Sequence, residues 1–142
     1  MKRFTSCICI LLVCVMLFST TAFAAESRAS NFFAKSSVYF WRSSGNNYQI
    51  WFDVTGKGTM TELGASEIIV ERSTDLVNWS TVRTYYKSNY SQMTGSNVAS
   101  YANYVPFTAT DGYYYRAVVL LYARNSSGNG NMIETTEVLN LR

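Results

Sequence analysis

From residue 25 onward the chain alternates between apolar and polar positions with the period of two that extended strands produce. In the clearest stretch, 48–55, Tyr48, Ile50, Phe52 and Val54 share one face, and the other positions are mostly polar. No stretch keeps a 3.6-residue apolar period over three helical turns. We therefore expect strands throughout this part of the chain.

Seven segments are predicted as strands, because each is short and rich in β-branched and aromatic residues. They are 36–42, 48–55, 67–72, 79–86, 98–108, 113–124 and 132–141. Turn residues separate them: 56–58 (GKG) is expected to close the second strand, 75–78 (DLVN) to form a hairpin turn, and 125–131 (NSSGNGN) to form a glycine-rich loop. Strand number and turn spacing predict an all-β fold, an antiparallel β-sandwich of about seven strands.

The alternation also predicts which side chains form the interior of this sandwich. The expected core residues are Ile50, Phe52, Ile68, Val70, Tyr115, Val119 and Leu121. A one-residue slip would turn all of them outward, so their burial is a strict test of the assigned strand faces.

The first 24 residues have the features of an export signal. Lys2 and Arg3 are followed by an uncharged apolar stretch, 7–18, and by the small-residue sequence at 22–24 (AFA). The stretch is shorter than the roughly 20 apolar residues that a membrane span needs. We predict a signal peptide at 1–24, an N-terminal segment at 25–35 and the sandwich domain at 36–142, in a secreted, extracellular protein with no stable membrane anchor after cleavage.

Composition narrows the chemistry of the secreted form. The chain has no histidine, and its three cysteines, Cys7, Cys9 and Cys14, all lie in the signal, so His- and Cys-dependent nucleophile systems are excluded. Without Lys2 and Arg3, 10 of the 12 basic residues remain against 9 acidic ones, which leaves a net charge of +1. This balance disfavours nucleic acid as a partner. We expect no enzyme activity, no cofactor and no metal.

The segment from Gly112 to Val119 (GYYYRAVV) resembles the entry to the sixth strand of a fibronectin type III or related immunoglobulin-like domain. The resemblance extends over roughly 36–141, and the chain also resembles small exported single-domain proteins of Gram-positive bacteria. It implies that Tyr115 caps a sheet corner, that Trp79 follows the hairpin turn, and that the third strand lies beside 113–124. A fold does not assign a function, so the function has to be argued from surfaces.

The outward face of 113–124 is itself apolar, where a solvated sheet face would normally be polar. This face, with one residue from the third strand, is our first candidate for protein contact or self-association. Its members are Ile69, Tyr114, Arg116, Val118, Leu120 and Tyr122. The alternative for this face is internal cover by the aromatic segment around Phe32 and Phe33.

A second hypothesis rests on the excess of aromatic residues, of which 19 remain after the signal is removed. Trp51 shares a face with polar residues, Tyr86 is adjacent to Tyr85 so that only one of the two can point inward, and Tyr90 lies in polar surroundings. Exposed tyrosine and tryptophan rings suit stacking on sugars, so these three residues define an alternative carbohydrate-binding site. A glycan-active enzyme is the third possibility, and the spacing of Glu67 and Glu71 along one strand argues against it.

The segment from Ser73 to Trp79 partly matches the aspartate-containing turns of some sugar-active proteins. The simpler interpretation is a hairpin turn in which Asp75 or Asn78 bonds the backbone and Trp79 packs against the sheet.

Overall fold

A computed structural model describes residues 31–142. The predicted signal peptide with its three cysteines, and residues 25–30 of the segment that follows, lie outside the described residues. Within 31–142 the strands are β1 (Phe33–Ser44), β2 (Asn47–Met60), β3 (Glu62–Ser73), β4 (Ser80–Tyr86), β5 (Thr94–Gly95), β6 (Val98–Thr108), β7 (Tyr114–Asn125), β8 (Gly128–Thr135) and β9 (Leu139–Asn140). No helix in this part of the chain has the length and apolar character needed to cross a bilayer.

The strands form two antiparallel sheets that pack on a shared core. The small sheet has the order β1-β2-β6, and the large sheet has the order β4-β3-β7-β8, with β5 on β3 and β9 on β7. The prediction of an all-β sandwich is confirmed. The structure has nine strands rather than about seven, because the two-residue β5 is too short to leave an alternating pattern and because the predicted last strand is divided into β8 and β9.

Every core residue predicted from the alternation is buried. Ile50, Phe52, Ile68, Val70, Tyr115, Val119 and Leu121 are all 2% exposed or less. The third strand also lies beside β7 as expected, with Ile69 opposite Val118. The assigned faces of β2, β3 and β7 are therefore correct.

Tyr115 stabilises the corner at which the chain passes from the small sheet to the large sheet. Its hydroxyl accepts a hydrogen bond from the Thr110 backbone N–H at 3.0 Å and donates one to the Thr110 carbonyl at 3.1 Å. Its ring packs edge-on against Phe107 at the end of β6. Both hydrogen bonds join residues on either side of the turn at 111–112, which positions β7 relative to the small sheet.

The expectation that 56–58 ends the second strand is wrong. Gly56 pairs with Phe33, and β2 continues to Met60. The pairing register with β6 shifts between Thr55 and Met60, where Gly58 has φ +102°. Met60 is fully buried and pairs with Val98. Burial of this side chain stabilises the extension, because the apolar gain exceeds the weak turn preference of the glycines.

The last hairpin also differs from the prediction at both of its ends. The expected loop at 125–131 is only a two-residue turn at 126–127, because 128–131 pair with β7. The expected strand at 132–141 is broken at 136–138, where buried Thr136 exchanges two hydrogen bonds with the Ala117 backbone. Pairing with β7 thus overrides the loop preference of the glycine and asparagine residues at 128–131.

Candidate functional site

Three aromatic side chains form a row across the outer face of the small sheet. Trp51 at the centre of β2 pairs with Tyr39 on β1 and with Tyr104 on β6. The Tyr39 and Trp51 ring centroids are 6.4 Å apart with planes 5° from parallel, and the Trp51 and Tyr104 centroids are 4.9 Å apart. Trp41 lies on the same side of β1, two residues beyond Tyr39. We call these four side chains the aromatic face.

The pleat of the strands directs these rings outward. Trp51 lies between buried Ile50 and Phe52, so its side chain points to the opposite side of β2. The indole N–H donates to Gln49 Oε1 at 2.9 Å, which holds the Trp51 ring in one orientation. Trp41 is 61% exposed and Tyr39 is 42% exposed. The face is thus open to solvent and partly ordered by its own contacts.

Polar side chains border the row on both sides along the strands. Exposed Asp53 lies opposite Ser37 and follows Trp51 by two residues on the same face of β2. Gln49 precedes Trp51 by two residues on that face. Beside β6 an open groove of about 520 Å³ is lined partly by Gln49, Tyr104 and amide side chains. Hydrogen-bond donors and acceptors therefore surround the apolar rings.

The outer face of the large sheet carries the residues predicted for protein contact, and all of them are half-buried. Val118 lies opposite Ile69, and Leu120 lies opposite Ile133 on β8. Ile133, which the sequence analysis did not single out, is 68% exposed. These four aliphatic side chains make one apolar strip, which we call the aliphatic strip.

Cations cover the aromatic rings at the two ends of this strip. The Arg116 guanidinium lies 4.2 Å from the Trp79 ring centre, and its Nε is 2.7 Å from a Glu71 oxygen. At the other end the Lys87 ammonium lies 4.1 Å from the Tyr122 ring centre. Tyr114 is approached in the same way, by a guanidinium 5.6 Å from its ring centre. The predicted residues thus comprise an apolar strip flanked by cation–aromatic contacts.

Internal cover of the strip by Phe32 and Phe33 does not occur. Phe33 pairs with Gly56 in the small sheet and is buried in the core, and Phe32 packs against that core. Phe33 is buried because β1 begins three residues earlier than expected, within the predicted N-terminal segment, and Phe32 directly before it is half-buried. The strip therefore remains accessible as far as the described residues are concerned.

The structure does not bring the three predicted sugar-binding residues together. Trp51 is on the small sheet, whereas exposed Tyr86 projects from the outer face of β4 in the large sheet. Tyr90 is half-buried against Tyr85, with ring centroids 5.1 Å apart. Trp51 instead joins residues that the sequence analysis missed. The alternation of 36–42 places Tyr39 and Trp41 on one side of β1, and this signal could have identified them.

The hairpin turn between β3 and β4 has the predicted internal bonding. One Asp75 oxygen accepts from the backbone N–H groups of Val77 and Asn78, and the other accepts from the Asn78 amide. The Ser73 hydroxyl donates to Asp75 as well. The bonds from Asn78, followed by those from Val77 and Ser73, hold the pKa of Asp75 well below its ordinary value. The ionised Asp75 carboxylate thus stabilises the conformation of the turn.

Within residues 31–142 no group of three or more carboxylates forms a metal-binding cluster. No protein-family model matches the chain, and no curated protein matches it in sequence. The fold and its surfaces define an all-β sandwich with two candidate binding faces, one on each sheet.

Proposed function

We propose that this protein is an exported binding module, without catalytic activity, that binds carbohydrate through the aromatic face. The observation that carries the proposal is the row of Tyr39, Trp51 and Tyr104 across three paired strands, extended by Trp41. Such a row offers several ring faces to one ligand, and sugar rings stack through their C–H faces on aromatic faces of this kind.

The two sheets differ in how available their rings are. On the large sheet Trp79 and Tyr122 each have a cation over the ring, so a ligand would have to displace it. Among the described residues, no cation lies over Tyr39, Trp51 or Tyr104. Stacking on the aromatic face therefore costs no existing cation–ring contact, and this favours the small sheet as the binding surface.

Polar groups at the border of the row supply the hydrogen bonds that stacking alone does not provide. The Asp53 carboxylate accepts hydrogen bonds, and the side-chain amide of Gln49 both donates and accepts them. Each of them is two residues from Trp51 on the same face of β2. Ring faces for apolar contact beside groups for hydroxyl contact are the two elements that sugar recognition requires.

The fibronectin type III resemblance fits the proposal of a binding module. The strand order β1-β2-β6 against β4-β3-β7-β8 and the hydrogen-bonded corner at Tyr115 support it. Export through the signal at 1–24 would bring the module to glycans at or beyond the cell surface.

Loss of the aromatic face is expected to weaken glycan binding. The probes are soluble β-glucan, xylan, chitin fragments and peptidoglycan, with affinity measured by calorimetry or by retardation in polysaccharide gels. We expect Trp41→Ala and Trp51→Ala each to reduce affinity by about tenfold or more, which corresponds to about 1.4 kcal/mol. Trp41 is the cleaner variant because its ring is the more exposed of the two.

Tyr86→Ala is the matched control, because Tyr86 is 48% exposed and lies on the other sheet. It is expected to keep full glycan affinity. The proposal fails if wild type binds none of the probes, or if Tyr86→Ala weakens binding as much as the two tryptophan variants do.

The aliphatic strip supports a second candidate function, contact with a protein or with another copy of the chain. The specific observation is Ile133, which extends the predicted surface onto β8 and is its most exposed member at 68%. Apolar side chains that stay solvated on one sheet face are typical of an interaction surface.

The double variant Val118→Lys with Leu120→Lys is expected to abolish association and to leave the fold intact. Both side chains are half-buried on the outer face, so each lysine stem can lie along the sheet with its ammonium in water. Analytical ultracentrifugation and pull-down from envelope extracts measure the effect, with Trp41→Ala as the control that should not change association. Identical behaviour of wild type and double variant, both monomeric and without a partner, would rule this function out.

A further inference from the structure

The turn between β3 and β4, residues 74–79, presents two adjacent aliphatic side chains at its tip. Leu76 is 48% exposed and Val77 is 79% exposed. The turn belongs neither to the aromatic face nor to the aliphatic strip. Single exposed apolar residues are common, but a neighbouring pair at the tip of a protruding hairpin forms a small continuous apolar surface.

The turn is built to hold this tip in one conformation. The Asp75 carboxylate collects hydrogen bonds from the Val77 and Asn78 backbone, and the Trp79 indole N–H donates to the Leu76 carbonyl at 3.1 Å. Leu76 has φ +64°, a left-handed conformation that asparagine or glycine adopts more easily than leucine. The chain thus keeps an aliphatic side chain in a position where a polar turn residue would be less strained.

Aromatic and basic groups surround the base of the turn. The Trp79 ring lies under the Arg116 guanidinium, and the Arg142 guanidinium donates to the Thr74 carbonyl. Glu71 pairs with Arg116, whereas Arg142 and Arg72, whose guanidinium lies 4.5 Å from the Tyr113 ring centre, are engaged only by neutral groups among the described residues. From tip to base the apolar and cationic groups follow the order aliphatic, aromatic, cationic, and the Asp75 carboxylate within the turn accepts four hydrogen bonds from neutral groups.

We propose that this turn docks the protein on a lipid membrane, with Leu76 and Val77 entering the interface. The order of groups matches the layers of a bilayer surface: aliphatic side chains enter the acyl boundary, indole rings prefer the headgroup level, and guanidinium groups pair with phosphate. The two cations at the base, offset in part by the Asp75 carboxylate, give a modest preference for anionic lipid. Docking of this kind is peripheral and does not depend on the proposed glycan binding.

Vesicle sedimentation tests the proposal, with vesicles of phosphatidylcholine alone and of phosphatidylcholine mixed with phosphatidylglycerol. Residues 25–142 are used, because they contain the whole sandwich and leave out the apolar stretch 7–18, which would itself bind lipid. We expect binding to both vesicles, stronger to the mixed ones. Leu76→Asn with Val77→Ser is expected to reduce partitioning by about tenfold or more, because most of the inserted apolar surface is lost.

A site-specific probe separates docking at the turn from other lipid contact. Residues 25–142 contain no cysteine, so Val77→Cys carries a single environment-sensitive dye, and Ala99→Cys, at the start of β6, is the matched control. We expect the dye emission to shift to the blue with vesicles only at position 77. The proposal is overturned if wild type binds neither vesicle, if the polar double variant binds equally well, or if the dye at position 77 shows no shift with vesicles. Trp41→Ala should keep vesicle binding, which makes this test independent of the glycan test.

Discussion

Gly64→Ala is expected to destabilise the fold by about 3–5 kcal/mol, the largest effect of any substitution proposed for this protein. A Cβ at this position would lie 2.1 Å from the Met93 carbonyl oxygen and 2.8 Å from the Thr94 Cα. Both obstacles are backbone atoms, so no side-chain rotation relieves them. Gly64 also has φ +153°, which alanine rarely adopts. Denaturant unfolding measures the loss.

The segment that approaches Gly64 explains why the site has no room. Thr94 pairs with Gly64 through β5, and fully buried Met93 anchors the connection between β4 and β6 against the core. Any displacement of that connection would withdraw Met93 from the interior. Gly58→Ala is the matched control, because Gly58 also has a positive φ but open space around it. Equal losses for the two variants would show that backbone strain, not the close approach, limits position 64.

Leu121→Ala is expected to reduce the free energy of unfolding by about 2–4 kcal/mol, through lost contacts and a cavity in the core. Leu121 is fully buried between the two sheets. The neighbouring Leu120 provides the control, because it has the same chemistry on the opposite face of β7 and is half-buried. Leu120→Ala is expected to cost about 1 kcal/mol, in proportion to the smaller apolar area that it buries.

The comparison of these two leucines tests the face assignment of β7 in solution. Thermal or denaturant unfolding of both variants gives the difference directly. A larger loss for Leu120→Ala than for Leu121→Ala would contradict the orientation of β7. Val119→Ala should follow Leu121→Ala, with a smaller cavity, because valine is smaller and equally buried.

The sequence predicted the fold well where one strand face is buried and the other is solvated. In β2 and β7 every second side chain is buried, so the local pattern alone assigns the faces. The corner at Tyr115 was expected from the resemblance of 112–119 to the entry of the sixth strand of a fibronectin type III domain. Prediction failed at 56–58, where Gly56 pairs with β1, and at 125–131, where 128–131 pair with the neighbouring strand β7; in both places strand pairing overrode the local turn preference.

The candidate site was predicted only in part, because it depends on strand register. Trp51 was identified as an outward aromatic on a polar face, but it was grouped with Tyr86, which lies on the other sheet, and with Tyr90, which packs against Tyr85 in the connection after β4. Nothing local to Tyr39 or Tyr104 indicates that both lie opposite Trp51. That arrangement follows from two antiparallel registers, between β1 and β2 and between β2 and β6.

By itself, the sequence determined the all-β class, the faces of the long strands and the apolar outer surface of β7, because each depends on the alternation within one segment. Only the tertiary structure decided which side chains meet. It aligned Tyr39, Trp51 and Tyr104 into one row, added Ile133 to the aliphatic strip, and placed Met93 against Gly64. These contacts join residues far apart in the chain, and their geometry is set by the packing of whole sheets.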